Sequence, residues 1–178
     1  SATTAGLTLV CAAAGLGKTT LLAQWYRAHQ QQGDALAWLS LEEEDNTPAL
    51  FMRYLLAALR PICPALNEAF AHTAPHTSQA DYPLFLAQLA NALHACSDPV
   101  YLILDDYHTL SNPEIHHGVS WLLHHAPACL HLIIGSRNRL SFTLSRLQIQ
   151  EQYVEIDDQS LRFNLAEAQG YFALTEKN

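Results

Sequence analysis

Short, nearly continuous apolar runs recur along the chain at Leu7–Ala12, Ala35–Leu41, Val100–Leu104, Leu130–Ile134 and Tyr153–Ile156. Runs of four to seven residues with little polar alternation suit strands buried on both faces of a parallel sheet. Between them the spacing becomes helical. Lys18–Gln32 is a run of good helix formers closed by Gly33, the residue type favoured just past a helix C-terminus. Thr47-Pro48 offers an N-cap hydroxyl and a ring with preset φ, and Leu50, Tyr54, Leu55, Ala58 and Leu59 then recur at three- and four-residue intervals until Pro61. Residues 61–80 read as an irregular connection. Tyr82–Ala95 carries Leu86, Leu89, Ala90 and Leu93 on one stripe, Asn112-Pro113 opens a helix to about His125, and a shorter helix is expected over Leu140–Gln148.

Strand alternating with helix five times predicts a doubly wound α/β fold with right-handed crossovers. After Asp157-Asp158 the character changes, and Asn164–Leu174 reads as a helix with no strand behind it. The expected division is 1–157 for the α/β domain and 158–178 for the beginning of a helical second domain, cut short.

Composition narrows the possibilities. A chain of 178 residues suits one domain, which at this size buries about 70% of the surface its unfolded form exposes. Charged residues make up 15%, below the ~25% usual for soluble domains, so part of the surface is expected to meet something else. A formal net charge of −8 leaves no electrostatic footprint for a nucleic-acid backbone, so no direct DNA contact is expected from this segment. No apolar run approaches the ~18 residues of a membrane helix, and the first residues lack the build of a signal peptide. A cytoplasmic location is expected. Cys11, Cys63, Cys96 and Cys129 form no C-x-x-C pair, which points to reduced, mostly buried thiols. His116, His117, His124 and His125 include no i, i+4 pair, so a helix face is favoured over a metal site. Trp25, Trp38 and Trp121 read as packing residues rather than a base-stacking platform.

One stretch carries chemistry. Ala12-Ala13-Ala14-Gly15-Leu16-Gly17-Lys18-Thr19 follows the first strand and opens the first helix, the context a phosphate-binding P-loop requires. Inward-facing N–H groups of such a turn cradle a polyphosphate, and the helix N-terminus adds about half a positive charge. Ala14, Gly15, Leu16, Gly17, Lys18, Thr19 and Thr20 are therefore the candidate nucleotide-binding residues, with Lys18 neutralising the β- and γ-phosphates and Thr19 ligating Mg²⁺. Ala12 stands where the motif has its first Gly, a position that turns the chain out of the strand. Val100–Leu104 then delivers Asp105 and Asp106 to a strand C-terminus, where ligands bind in open α/β sheets. Asp105 is the candidate Mg²⁺ carboxylate, and Asp106 the candidate group to orient or deprotonate an attacking water. Arg137, after Leu132-Ile133-Ile134-Gly135-Ser136, is the candidate for γ-phosphate contact and transition-state charge, with Arg139 as the alternative. Asp45-Asn46-Thr47-Pro48 lies at the same edge with its ligand role open.

Taken together, residues 11–25, Trp38–Pro48, Leu104-Asp105-Asp106-Tyr107-His108, Gly135-Ser136-Arg137 and Leu161-Arg162-Phe163 resemble the nucleotide-binding domain of MalT-like transcriptional activators. These are the large ATP-dependent LuxR-type regulators among the STAND signalling ATPases. The resemblance spans about Leu7 to Phe172 and implies a P-loop NTPase three-layer sandwich. Its sheet would be five-stranded and mostly parallel, in the order 5-1-4-3-2, with a helical lid beginning at the C-terminus. It also implies an ADP-bound resting state and an ATP-bound, self-associating active state. Further partners would be the lid, winged-helix, helical-repeat and helix-turn-helix regions of a longer regulator. By motif match Lys18 and Thr19 are the Walker A pair, Asp105 and Asp106 the Walker B acids, and Arg137 the sensor arginine. The sequence departs from the family at Ala13, where proline is usual, at Leu16, where an aromatic is usual, and at Gln148, where arginine is common. The expected function is an ATP-binding and weakly hydrolysing switch. The alternative is a stand-alone P-loop kinase or metabolic ATPase acting on a small acceptor, for which the chain offers few lid arginines.

Overall fold

Five strands form one sheet in the order β2-β3-β4-β1-β5 in the computed structural model, which describes residues 6–71, 81–96, 98–142, 144 and 152–161. The strands are β1 (Gly6–Cys11), β2 (Ala35–Ser40), β3 (Val100–Asp105), β4 (Leu130–Ser136) and β5 (Tyr153–Ile156). Every pairing is parallel, so the expected order is met, read from the other side, and "mostly parallel" becomes wholly parallel. Apolar residues fill both faces of β3 and β4, as continuous apolar runs require.

One face is covered by α2 (Pro48–Leu59), α3 (Ala65–Ala69), α4 (Tyr82–Leu93) and α5 (Pro113–His125), which pack with Leu7, Leu9, Leu102, Leu104, Leu132 and Ile134 into the larger core. Phe51, Met52, Leu55 and Leu59 form the buried stripe of α2, each side chain stabilising the fold by about 1.5–3 kcal/mol. The Asn112 side chain caps α5 by accepting from the Glu114 N–H at 2.9 Å. The other face is covered by α1 (Lys18–Gln32) and a helical turn at 158–161, with Val10, Ala12, Leu22, Ile103, Ile133 and Leu161 forming a smaller core. Gly33 ends α1 in the left-handed region at φ 84° and its N–H donates to the Gln30 carbonyl.

Two expectations are corrected. Residues 61–80, expected from sequence to be irregular, contain α3: Leu66 and Phe70 are buried, and Phe70 meets the Phe85 ring at 5.2 Å. Five residues are too few for helical periodicity to appear in sequence. The helix expected over Leu140–Gln148 is absent where the structure describes it, since Leu140, Ser141, Phe142 and Leu144 are not helical. The rest of that stretch, including Gln148, and the helix expected over Asn164–Leu174 lie outside the described residues.

None of the four cysteines is in a disulfide; Cys63 is buried and the others partly so, fewer than expected. Three of the four histidines of α5 are engaged: His124 and His125 donate to the Ser120 and Trp121 carbonyls, and His116 shares a hydrogen bond with the Tyr107 hydroxyl. No group of three potential metal ligands occurs among the described residues. No helix among them is long and apolar enough to cross a membrane. Asn46 ties two loops together, accepting from the N–H groups of Ser111 and Asn112 at 2.9 and 2.8 Å, which gives that segment a structural task.

Candidate nucleotide-binding site

The turn from β1 into α1 is made by two glycines in the left-handed region, Gly15 at φ 80° and Gly17 at φ 83°. A side chain is strained at such angles, and a Cβ on Gly15 would meet nothing within 4 Å, so the loop is open on that side. Gly17 is the N-cap of α1, with no side-chain cap and no acidic residue in the first turn. The first N–H groups of the helix therefore face outward with their partial positive charge, as an anion site requires. Ala14, Gly15, Thr19 and Thr20 are exposed, Gly17 is half-buried, and Leu16 packs against the smaller core.

Lys18 is 7% exposed, which is unusual for an ammonium. Its Nζ donates to the carbonyls of Ala12 at 2.6 Å and Ala13 at 3.2 Å, and it forms no ion pair with a carboxylate among the described residues. Two neutral acceptors balance a buried cation poorly, so an incoming polyphosphate offers Lys18 a better partner than the loop does.

Across from it, Asp105 ends β3 at 2% exposure. Its Oδ1 accepts from the Asp106 N–H at 3.0 Å. Burial pushes the Asp105 carboxyl above its ordinary range, the nearby Thr19 hydroxyl opposes this, and the Asp106 charge adds to it. An acidic side chain held this way favours a cation. The donor set, one carboxylate and one hydroxyl at the mouth of the loop, is the hard-oxygen chemistry of Mg²⁺. Asp106 follows at φ 55°, the sole non-glycine residue with positive φ among those described. Such backbone is sparsely populated and costs free energy, which marks the position as held there by its surroundings.

Two residues at this edge were not singled out by sequence. A Cβ on Gly135 would lie 2.7 Å from Oδ1 of Asp105 and 2.9 Å from a methyl of Leu22, so the bare backbone of β4 makes room for the buried carboxylate. His108, on a short 3₁₀ turn, Tyr107–Thr109, brings Nδ1 to 3.9 Å from Oδ1 of Asp106. That nitrogen is buried without a hydrogen-bond partner among the described residues. Burial and the Arg137 charge hold the imidazole below its ordinary range, with Asp106 pulling the other way and Lys18 adding to the fall. Lys18, Asp105, Asp106 and Arg137 thus act on one imidazole and share one electrostatic neighbourhood. The sequence signal for His108 was only its place two residues beyond the second acid. Arg137 is exposed at the end of β4, whereas its alternative, Arg139, pairs with Glu155 of β5 at 3.2 Å.

A Gly-rich strand-to-helix loop with its lysine, faced by paired acids at the end of β3, a parallel strand one place removed across β4, defines a P-loop nucleotide-binding domain of the AAA type. The family model described as AAA domain matches residues 2–145, and the chain belongs to that family. Within it the sequence is similar to the corresponding part of the HTH-type transcriptional regulator MalT of Cronobacter sakazakii, 36% identical over 166 residues. That match covers 93% of this chain but 18% of the relative, so the chain spans about a fifth of the relative's length. The fold is also that of Cdc6p from Pyrobaculum aerophilum, with a TM-score of 0.58 at 18% identity over 84% of this chain and 38% of that one.

Proposed function

We propose that this domain is the ATP-binding, slowly hydrolysing switch of a signal-responsive transcriptional activator in the cytoplasm, resting with ADP and active with ATP. The observation that carries the reading is the buried Lys18 ammonium, held among the described residues by loop carbonyls alone, opposite the Asp105 and Thr19 oxygens. In this reading Ala14, Gly15, Leu16, Gly17, Lys18, Thr19 and Thr20 hold the phosphates, and Thr19 and Asp105 would hold Mg²⁺, which would supply neutralisation of phosphate charge. Asp106 orients or deprotonates the attacking water, and Arg137 answers the charge of the γ-phosphate. Binding energy that differs between ATP and ADP then biases a domain arrangement instead of driving turnover.

The likeness to a much longer HTH-type regulator supports further regions, among them a helix-turn-helix. The reading adds a helical lid beginning at 158, a winged helix and helical repeats. The net charge of −8 supports leaving DNA contact to those regions. Self-association belongs, in the same reading, to the ATP state. The test is nucleotide retained through purification, followed by single-turnover hydrolysis with and without Asp106→Asn. Retention of ADP or ATP with hydrolysis lost in Asp106→Asn is the expected result. No retention, or hydrolysis indifferent to that change, overturns the assignment.

A further inference from the structure

The phosphate loop is held from outside by a residue 145 positions away. The Ala13 N–H donates to Oδ1 of Asp158 at 3.0 Å, and the Ala12 carbonyl accepts from Lys18 Nζ at 2.6 Å. These two groups are the ends of a single peptide unit. It carries a carboxylate on its N–H and an ammonium on its C=O, both charge-assisted and each polarising the amide in the sense that strengthens the other. Asp158 opens the helical turn at 158–161, which Asp157 caps by accepting from the N–H and hydroxyl of Ser160 at 2.9 and 2.8 Å. Leu161, on the same turn, is fully buried in the cluster that contains Val10, Ala12 and Leu22. One turn therefore grips the exit of β1 twice, by a hydrogen bond at Ala13 and by apolar contact in the cluster around Ala12.

We infer that Asp158 is a positioning residue of the phosphate loop: it fixes the Ala12–Ala13 peptide from which Lys18 works, so that the loop and the helical turn after β5 move as one body. This rests on the nucleotide-binding reading above and deepens it. Two effects compete for the sign. Polarisation of the amide favours Lys18 on its carbonyl and so opposes phosphate, yet it changes a hydrogen bond by only about 10–30%. Leaving the loop unfixed makes the nucleotide order several backbone residues, a larger entropic cost. Ordering wins, and removal of Asp158 weakens binding.

The experiment measures dissociation constants of Mg²⁺-ADP and Mg²⁺-ATP by fluorescence of their methylanthraniloyl derivatives. Asp158→Ala is expected to weaken both alike, by about three- to tenfold. Asp158→Asn, whose amide oxygen still accepts from Ala13, stays within about twofold of the parent. Ala13→Pro deletes the donor, so in that background Asp158→Ala costs nothing further. Amide hydrogen exchange without nucleotide provides a second readout: Asp158→Ala speeds exchange at residues 12–16 and Asp158→Asn does not. Unchanged affinity and exchange in Asp158→Ala, or an equal loss in the proline background, overturns the inference. If the parent binds and Lys18→Ala does not, such a result removes only the role of Asp158. If the parent fails to bind at all, the nucleotide reading falls, and the exchange comparison still decides whether Asp158 holds the loop.

Discussion

The two edges of the sheet are built from the same strands and differ in how their polar groups are settled. At the amino edge His131 of β4 bonds the Thr8 hydroxyl at 2.9 Å, His29 pairs with Asp34 at 2.6 Å, and the Trp25 ring stacks on His29 with centroids 4.0 Å apart while meeting Tyr101 edge-on. Each polar group has a partner and each ring a neighbour. At the carboxyl edge Lys18 and Asp105 are buried charges with only hydrogen-bonding company, Asp106 sits at positive φ, and a buried nitrogen of His108 has no partner among the described residues. Unsettled groups cost stability and persist where a ligand settles them. The edge that costs the fold is the one where binding is proposed.

Breaking this contrast at its strongest point gives the largest effect. Lys18→Ala is expected to weaken ADP and ATP by about a hundredfold or more, because it deletes the charge that meets the phosphates. The same change removes a poorly compensated buried cation, so the melting temperature without nucleotide should hold or rise. Normal affinity in a folded Lys18→Ala protein would remove the P-loop assignment. Arg137→Ala comes next, with ATP weakened about tenfold and ADP nearly unchanged, since only ATP carries the phosphate it is proposed to meet. Equal losses in titrations with the two nucleotides would end that role.

The contrast was only half legible in sequence. Parallel strands and α1 show themselves because both faces of the sheet are apolar and because Lys18–Gln32 runs uninterrupted to a glycine. The lysine and the two acids follow from motif spacing, since the chemistry demands them at a strand end. What spacing does not carry is contact made across the chain. Gly135 yields to Asp105, His108 approaches Asp106 from a short 3₁₀ turn, and Asp158 reaches Ala13 across 145 residues. The absence of helix at Leu140–Phe142 has a similar cause. Leu140, Phe142 and Leu144 pack against the larger core as separate contacts, and helix propensity alone does not predict that.

Glycines at opposite edges sharpen the comparison at intermediate size. Gly135→Ala forces a methyl against the Asp105 carboxylate and Leu22 inside a central strand, and should cost about 1–3 kcal/mol in urea unfolding while also weakening Mg²⁺-dependent nucleotide binding. Gly6→Ala meets first the His131 ring, with Nδ1 at 2.5 Å, at the first residue of β1. Its cost should be smaller and its nucleotide affinity that of the parent. A loss of affinity in Gly6→Ala would show that the amino edge is not independent of the site.

The smallest effect tests the settled edge by pH. Burial holds His131 below the ordinary imidazole range, so the folded chain takes its proton at lower pH than the unfolded chain, which takes it near 6.5. Above that pH both states are neutral and stability is full. As pH falls, the unfolded state binds the proton first, and stability drops until the folded-state value is passed. The melting temperature should therefore fall by a few degrees, about 2–4 °C, between pH 7 and pH 5. His108 and His116 are lowered by burial too and act in the same direction, so the informative quantity is the difference between variants. His131→Gln, which keeps a group able to bond Thr8, should flatten the slope without abolishing it, and the pH dependence of nucleotide affinity should stay as in the parent. A slope unchanged by His131→Gln would place the acid sensitivity at the carboxyl edge instead. The contrast between the edges would then be one of chemistry without a matching difference in stability.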